Sequence, residues 1–134
     1  MLLSGIALAG ANEAVAGNRD DGVLYALEAQ SLNLQGTELV VLSACETGQG
    51  KIDYGEGVYG LVRALRTAGA KQVLMTLRPV EDASAERFMR QFYKRWLSQP
   101  EGDNDAASAL DETRAYYIEN EPDFDWSPYV LIGV

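Results

Sequence analysis

The feature that most limits what this chain can fold into is a continuous apolar segment, residues 39–44 (LVVLSA), bounded by turn-forming residues. An apolar run without alternation is typical of a strand that is covered on both faces. The run leads directly into Cys45, the only cysteine among the 134 residues. Open α/β sheets place their functional groups at the carboxyl ends of such strands. The segment therefore predicts a layered α/β fold and makes Cys45 a candidate functional residue.

Predicted strands and helices alternate along the rest of the chain. Apolar runs predict strands at residues 2–9, 38–44, 71–77 and 129–134. Apolar spacing of helical period, with capping residues, predicts helices at residues 23–31, 56–68, 85–97 and 105–119, and Gly69 as a C-cap. This order predicts an α/β fold with a mostly parallel sheet and helices on both faces.

Charge and composition exclude some classes of function. The chain has 11 Lys and Arg against 20 Asp and Glu, a formal charge of -9, which argues against a nucleic-acid partner. The negative charge fits a basic partner or, more simply, solubility. A single cysteine cannot form an internal disulfide, so we expect a reducing, cytoplasmic location. The apolar N-terminal segment has no basic residue before Arg19 and is too short for a membrane span, so no signal peptide or membrane contact is expected.

Cys45 has two interpretations. It is either a nucleophile whose oxyanion is held by N–H groups of the loop that follows, or a buried structural thiol. Glu46, Thr47 and Gly48 open that loop, and their small or polar character favours access to a substrate. The chain has no histidine, which is the base that most often activates a cysteine. We predict no metal and no cofactor.

Two other motifs also have a structural and a functional interpretation. Asp82 follows the predicted strand at 71–77, and either it or Ser84 caps the next helix. Alternatively, Asp82 lines an anionic pocket beside Cys45 that receives a Lys or Arg side chain. Residues 55–60 match G-x-G-x-x-G, but roughly ten residues separate them from the strand, so close helix packing is preferred to nucleotide binding.

Two aromatic segments are interpreted as structural. Phe88, Phe92, Tyr93 and Trp96 recur at helical spacing and are therefore expected in the core. Residues 125–129 (DWSPY) are expected to form a packed turn that leads into the last strand, with its backbone fixed by Pro128.

Residues 39–48 (LVVLSACETG) closely resemble the segment around the catalytic cysteine of CHAT domains, which are caspase-like peptidases often attached to TPR repeats. The resemblance extends through residues 3–5, 8–12, 55–61, 68–70, 73–77, 79–80, 82 and 129–131, and so covers nearly the whole chain. It implies that residues 1–134 form the C-terminal part of one caspase-like domain, an incomplete domain whose dyad histidine lies upstream.

The resemblance also implies a function for the singled-out residues. Cys45 matches the nucleophile of a His–Cys dyad, and Asp82 matches a position that can line the pocket for a basic side chain in related peptidases. We therefore expect the nucleophile-bearing half of an endopeptidase that cleaves after a basic residue and is inactive as an isolated chain. Its expected partners are a protein or peptide substrate and either TPR repeats or an upstream segment that supplies the histidine.

Two departures from the family pattern support an alternative. Arg78 stands where the family usually has tryptophan before Pro79, and its cation would repel a basic substrate and could pair with Asp82 or Glu81. The histidine is absent as well. The alternative is a non-catalytic interaction or signalling module, in which the fold is a scaffold and Cys45 is a core thiol.

Overall fold

The computed structural model describes residues 5–7, 23–42 and 56–133. The chain divides into two compact units: unit 1 comprises Met1–Glu38 with Gly50–Lys71, and unit 2 comprises Leu39–Gln49 with Gln72–Val134. The elements of unit 1 are β1 (Gly5–Ala7), β2 (Val23–Tyr25), α1 (Ala26–Ala29) and α2 (Glu56–Thr67). Those of unit 2 are β3 (Leu39–Leu42), β4 (Gln72–Thr76), α3 (Asp82–Trp96), α4 (Ala106–Asn120) and β5 (Tyr129–Gly133).

Unit 1 contains a short antiparallel strand pair and two helices. β1 and β2 pair so that Ile6 lies opposite Leu24. This pairing corrects the helix predicted for residues 23–31: the β-branched and aromatic ends of Val23–Tyr25 suit a strand, and only Ala26–Ala29 is helical. α1 contacts α2, and the buried side chains here are small or aliphatic. They are Ala26, Ala29, Leu61, Val62, Ala64, Leu65, Ala68 and Ala70.

A tight turn at Gly69 ends α2, as the sequence predicted. Gly69 has a φ of +119°, and its N–H donates to the carbonyl of Arg66 at 3.0 Å. The chain approaches closely there: a Cβ on Gly69 would lie 2.8 Å from the backbone N of Gln35. The N–H of Leu34 donates to the carbonyl of Ala68 at 3.0 Å, which holds the two segments together.

The sheet of unit 2 has the strand order β3-β4-β5. β3 and β4 are parallel, with Leu42 opposite Met75, and β4 and β5 are antiparallel, with Thr76 opposite Tyr129. Among the described residues, one helix, α2, separates β3 from β4 along the chain, and the two strands run the same way. Two helices separate β4 from β5, and because each reverses the chain direction, β5 returns antiparallel. The α/β class is confirmed, and the described sheet is mixed rather than mostly parallel.

Of the three strands in this sheet, the central strand β4 is the most deeply buried. Val73, Leu74, Met75 and Thr76 are each at most 2% exposed, and since successive side chains point to opposite faces, both faces of β4 are covered. The four residues of β3 are only half-buried. The sequence predicted that residues 39–44 form a strand covered on both faces, but this description fits β4 better than β3. Among the described strands, β3 pairs along one edge only, with β4.

The core of unit 2 is aromatic and lies where α3 and α4 pack together. The ring of Phe88 stacks on that of Tyr129 with centroids 3.7 Å apart, and Tyr117 stacks on Phe124 at 3.9 Å. Phe88 and Phe92 are fully buried, which confirms their predicted place in the core. The same prediction is wrong for Tyr93, which is 37% exposed because a helix turns by about 100° per residue, away from Phe92.

Candidate functional site

The carboxyl ends of β3 and β4 lie at the same side of the sheet because the two strands are parallel. We call the residues that follow these ends the carboxyl edge. After β4 the chain passes through Leu77 and Arg78 and enters α3 at Asp82. After β3 it leads towards Cys45, which with Glu46, Thr47 and Gly48 lies outside the described residues. The described part of the carboxyl edge is therefore the segment from Leu77 to Asp82, together with the residues that contact this segment.

Arg78 is held by the turn that precedes β5. Its guanidinium forms an ion pair with Asp125, and the same Nη2 donates to Ser127 Oγ at 2.9 Å. The pairing with Asp82 or Glu81 considered from the sequence is therefore wrong. The reason is the antiparallel direction of β5, which brings the residues before it beside the carboxyl end of β4.

The turn itself is ordered by its own side chains. Asp125 Oδ1 accepts hydrogen bonds from the backbone N–H of Ser127 at 3.1 Å and from its hydroxyl at 2.6 Å. These bonds, with the contribution of Arg78, hold the pKa of Asp125 below its ordinary value. The carbonyl of Pro128, which is fully buried, accepts from the N–H of Leu77 at 2.9 Å. The packed turn predicted for residues 125–129 is confirmed.

Asp82 is the first residue of α3 and is exposed. The capping prediction for Asp82 or Ser84 is wrong, since α3 begins three residues before the predicted start at 85 and Glu81 occupies the N-cap position without a side-chain capping bond. A carboxylate in the first helical turn is still favoured by the helix dipole. In the part of the chain that the structure describes, Asp82 joins none of the ion pairs, so its carboxylate is open to a cation.

Asp125 and Ser127 are residues whose relation to the edge was missed from the sequence. The spacing Asp-x-Ser is a signal for a turn in which the carboxylate binds the backbone two residues on. That signal indicates a turn, but it does not say which strand end the turn will contact. The contact with Arg78 depends on the direction of β5.

An open depression of unit 2 lies at the end of α4, with a volume of about 480 Å³. Its lining is Arg87, Asn120, Glu121, Pro122, Asp123 and Phe124. Arg87 is already paired with Glu121, and its guanidinium lies 5.6 Å from the ring centroid of Phe124. The cation that lines the depression is thus already paired with a carboxylate of the same lining.

Metal and membrane features were sought among the same residues. Across residues 5–7, 23–42 and 56–133, no three His, Cys, Asp or Glu side chains come together as a metal-binding group. None of the helices described has the length and apolar character that crossing a bilayer requires.

The fold and the carboxyl edge describe an α/β domain with a cysteine shortly after one parallel strand and an exposed carboxylate shortly after the next. The family model for the CHAT domain matches residues 1–134, and the chain therefore belongs to the CHAT-domain family, which is related to caspase-like cysteine peptidases. Tetratricopeptide repeat protein 28 from Homo sapiens is 31% identical over 96 residues, which cover 72% of this chain and 4% of that protein. The chain thus corresponds to a small part of that much longer relative.

Proposed function

We propose that this chain is the nucleophile-bearing part of a CHAT-type cysteine endopeptidase that cleaves peptide bonds after a basic residue. Cys45 is the nucleophile, and Asp82 binds the basic side chain of the substrate. Glu46, Thr47 and Gly48 supply backbone groups that bind the substrate and its oxyanion. The observation that carries the proposal is the open carboxylate of Asp82 at the strand end beside the one that leads to Cys45.

The reaction needs a base that these 134 residues do not contain, because none of them is histidine. With a histidine supplied from outside this sequence, the imidazole takes the thiol proton of Cys45, and the thiolate attacks the scissile carbonyl carbon. The tetrahedral intermediate collapses to a thioester as the imidazolium gives its proton to the leaving amine. Water, deprotonated by the same imidazole, then releases the acid and the free thiol. The chain by itself is therefore inactive.

Asp82 supplies the proposed preference for a basic side chain. A Lys or Arg side chain that reached the carboxylate would form a charge-assisted hydrogen bond, which is stronger than a neutral one. The positive end of the α3 dipole would weaken this attraction somewhat, since Asp82 lies in the first turn. The negative charge of the chain as a whole also attracts cationic peptides.

The test is hydrolysis of reporter peptides that carry Arg, Lys or Leu before the cleaved bond, by a protein that joins this chain to a histidine-bearing CHAT segment. Cys45→Ala should abolish turnover. Asp82→Asn should lower the preference for Arg over Leu by about tenfold or more, the size of one hydrogen bond to a charged group. Glu86→Gln, one turn further along α3 and paired with Arg90, is the matched control and should leave the preference unchanged. Full turnover by the Cys45→Ala variant would overturn the proposal.

The second candidate is a non-catalytic interaction module, and the absence of histidine and the similarity to a tetratricopeptide repeat protein favour it. As such a module, the domain binds a protein partner, and the partner that we expect is a set of TPR repeats. Labelling with iodoacetamide separates the two candidates because the chain has one cysteine. Rapid labelling of the folded chain at neutral pH supports a reactive Cys45, whereas labelling only after unfolding supports the module.

A further inference from the structure

The last two turns of α3 carry a row of exposed side chains. Its members follow the spacing i, i+3, i+4, i+7, which places them next to one another on one face of a helix. Leu97 is the C-cap residue but keeps an αR backbone, so it continues this face. We call the set the outer row of α3; its members, all of them exposed, are Arg90, Tyr93, Lys94 and Leu97. The outer row thus combines two cations with two large apolar side chains.

The apolar members of the outer row are open to solvent and partly ordered. Leu97 is 70% exposed and Tyr93 is 37% exposed. The Tyr93 ring lies against those of Phe92 and Trp96, with centroids 5.5 Å and 6.1 Å away. This support restricts the Tyr93 ring, so a partner that covers it loses less binding free energy to side-chain ordering. Neighbouring apolar side chains rimmed by polar groups are a feature of protein–protein contact sites.

The cationic members of the outer row have charge that a partner can use. Across residues 5–7, 23–42 and 56–133, Lys94 joins none of the ion pairs. Arg90 pairs with Glu86, but both side chains are more than half exposed, so this pair contributes little and another carboxylate can compete for Arg90. The whole chain has a formal charge of -9, so the outer row is a local cationic site on an acidic chain. Such a site selects and orients an acidic partner.

We propose that the outer row of α3 is a docking surface for an acidic amphipathic helix of a protein partner. The apolar face of that helix covers Tyr93 and Leu97, and its carboxylates pair with Lys94 and Arg90. A helical partner matches because the outer row is about 10 Å long and a second helix presents side chains at the same spacing. The inference goes beyond both functions proposed above, since a docked helix can belong to a substrate or to a partner that is not cleaved.

The test uses two synthetic helical peptides that differ only in charge, each about five turns long. Both carry leucine at i, i+3, i+4 and i+7, and the positions beside this face are glutamate in one peptide and lysine in the other. Two-dimensional NMR of the isotopically labelled chain follows the backbone amides of residues 90–97 during each titration. The glutamate peptide should shift these amides with a Kd below about 1 mM, and more weakly as salt is added. The lysine peptide should leave them unchanged.

Charge reversal in the outer row tests the electrostatic part of the proposal. Lys94→Glu should weaken binding of the glutamate peptide about fivefold, because an exposed ion pair is lost and a repulsion is gained. The same variant should let the lysine peptide shift residues 90–97, a gain that misfolding cannot produce. Arg66→Glu is the matched control: Arg66 is exposed in the last turn of α2, its reversal changes the net charge equally, and binding should stay unchanged.

Truncation of Leu97 tests the apolar part. Leu97→Ala should weaken binding of the glutamate peptide about fivefold, because the peptide no longer buries the leucine side chain. Leu27→Ala removes a leucine of α1 that is 59% exposed, and it is the control that should leave binding unchanged.

Several outcomes would overturn the inference. Equal shifts with the two peptides would mean that charge does not select the partner. No shift at residues 90–97, or equal losses in Lys94→Glu and Arg66→Glu, would mean that the outer row is not the docking surface. Sedimentation tests a different occupant: if the unmodified chain self-associates and both Lys94→Glu and Leu97→Ala make it monomeric, a second copy covers the row and the proposed partner is wrong. None of these measurements involves peptide cleavage, so the proposed function is tested separately.

Discussion

The two units of the chain bury different kinds of side chain. Among the described residues of unit 1 the buried side chains are those of alanine, leucine and valine, and the chain segments approach closely at Gly69. In unit 2 a few large rings, those of Phe88, Phe92, Tyr117 and Tyr129, occupy the core between helices and sheet. One aromatic side chain buries about 150–250 Å². We therefore expect the stability of unit 2 to depend on individual aromatic side chains, and that of unit 1 to depend on its backbone conformation at Gly69.

The aromatic core of unit 2 also supports the carboxyl edge. Phe124 stacks on Tyr117, and the next residue is Asp125, which holds Arg78. Tyr129, at the other end of the same turn, stacks on Phe88. Both ends of the turn are thus anchored in the core, so the position of the Asp125 carboxylate follows from packing rather than from the loop alone.

The largest effect is expected from truncating the ring at the centre of this core. Phe88→Ala should lower the free energy of unfolding by about 3–5 kcal/mol, because the side chain is fully buried and stacks on Tyr129. Urea unfolding followed by tryptophan fluorescence measures this, since Trp96 and Trp126 both lie in unit 2. Tyr93→Ala on the exposed side of the same helix is the control, with an expected loss under about 1 kcal/mol. Equal losses in the two variants would contradict an aromatic core that depends on single rings.

The next largest loss of stability is expected from a backbone change in unit 1. Gly69→Ala places a Cβ on a residue with a φ of +119° and 2.8 Å from the backbone N of Gln35, which we expect to cost about 2–3 kcal/mol. Gly102→Ala is the matched control: its φ is +89°, but no atom lies within 4 Å of the added Cβ, so only the backbone strain of about 1 kcal/mol remains. Thermal unfolding by circular dichroism compares them. If Gly102→Ala were as costly, the close approach at Gln35 would not matter.

The two long helices of unit 2 provide a smaller comparison. Asp105 caps α4 by accepting a hydrogen bond from the N–H of Ala107 at 3.0 Å, and Asp105→Ala should cost about 1 kcal/mol. Asp82→Ala should cost only about 0.5 kcal/mol, because Asp82 interacts with the α3 dipole but makes no capping bond. Chemical denaturation of both variants measures the difference. A loss for Asp82→Ala as large as that for Asp105→Ala would favour a structural over a substrate-binding role for Asp82.

Local sequence patterns predicted most elements of unit 2. The continuous apolar runs indicated β3, β4 and β5, although β4 is the strand that is covered on both faces. The helix predicted to begin at residue 105 is α4, which begins at Ala106 with Asp105 as its N-cap. The strand Val23–Tyr25 was missed because its pairing with Gly5–Ala7 is not encoded in local periodicity.

The candidate site was less predictable than the fold. The partner of Arg78 is set by the direction of β5, which depends on two intervening helices rather than on residues near Arg78. Cys45, Glu46, Thr47 and Gly48 stay predictions, and the substrate-binding role of Asp82 is a proposal supported by its exposure. A motif identifies the type of residue at a strand end, but the charges around it come from distant parts of the chain.

The smallest expected effect is a pH-dependent change in the free energy of unfolding, which reports the contribution of the Asp125 charge separately from that of the aromatic core. The pKa of Asp125 is lowered by Ser127 and Arg78, so its contribution to stability is present above its unfolded pKa and is lost as the pH falls through its folded pKa. The free energy of unfolding of the unmodified chain should exceed that of Asp125→Asn by at most about 1 kcal/mol at neutral pH, since both partners are more than half exposed. Urea unfolding should show this difference declining below about pH 4.

Arg78→Ala removes one cause of the lowered pKa of Asp125 and should reduce the decline without removing it, because the bonds from Ser127 persist. A difference that grew on acidification would mean that the Asp125 charge destabilises the folded chain. A difference that stayed constant as the pH fell well below 4 would mean that packing at Phe124, Pro128 and Tyr129 fixes the turn without help from charge. In that case the aromatic core of unit 2 alone would position Asp125 against Arg78.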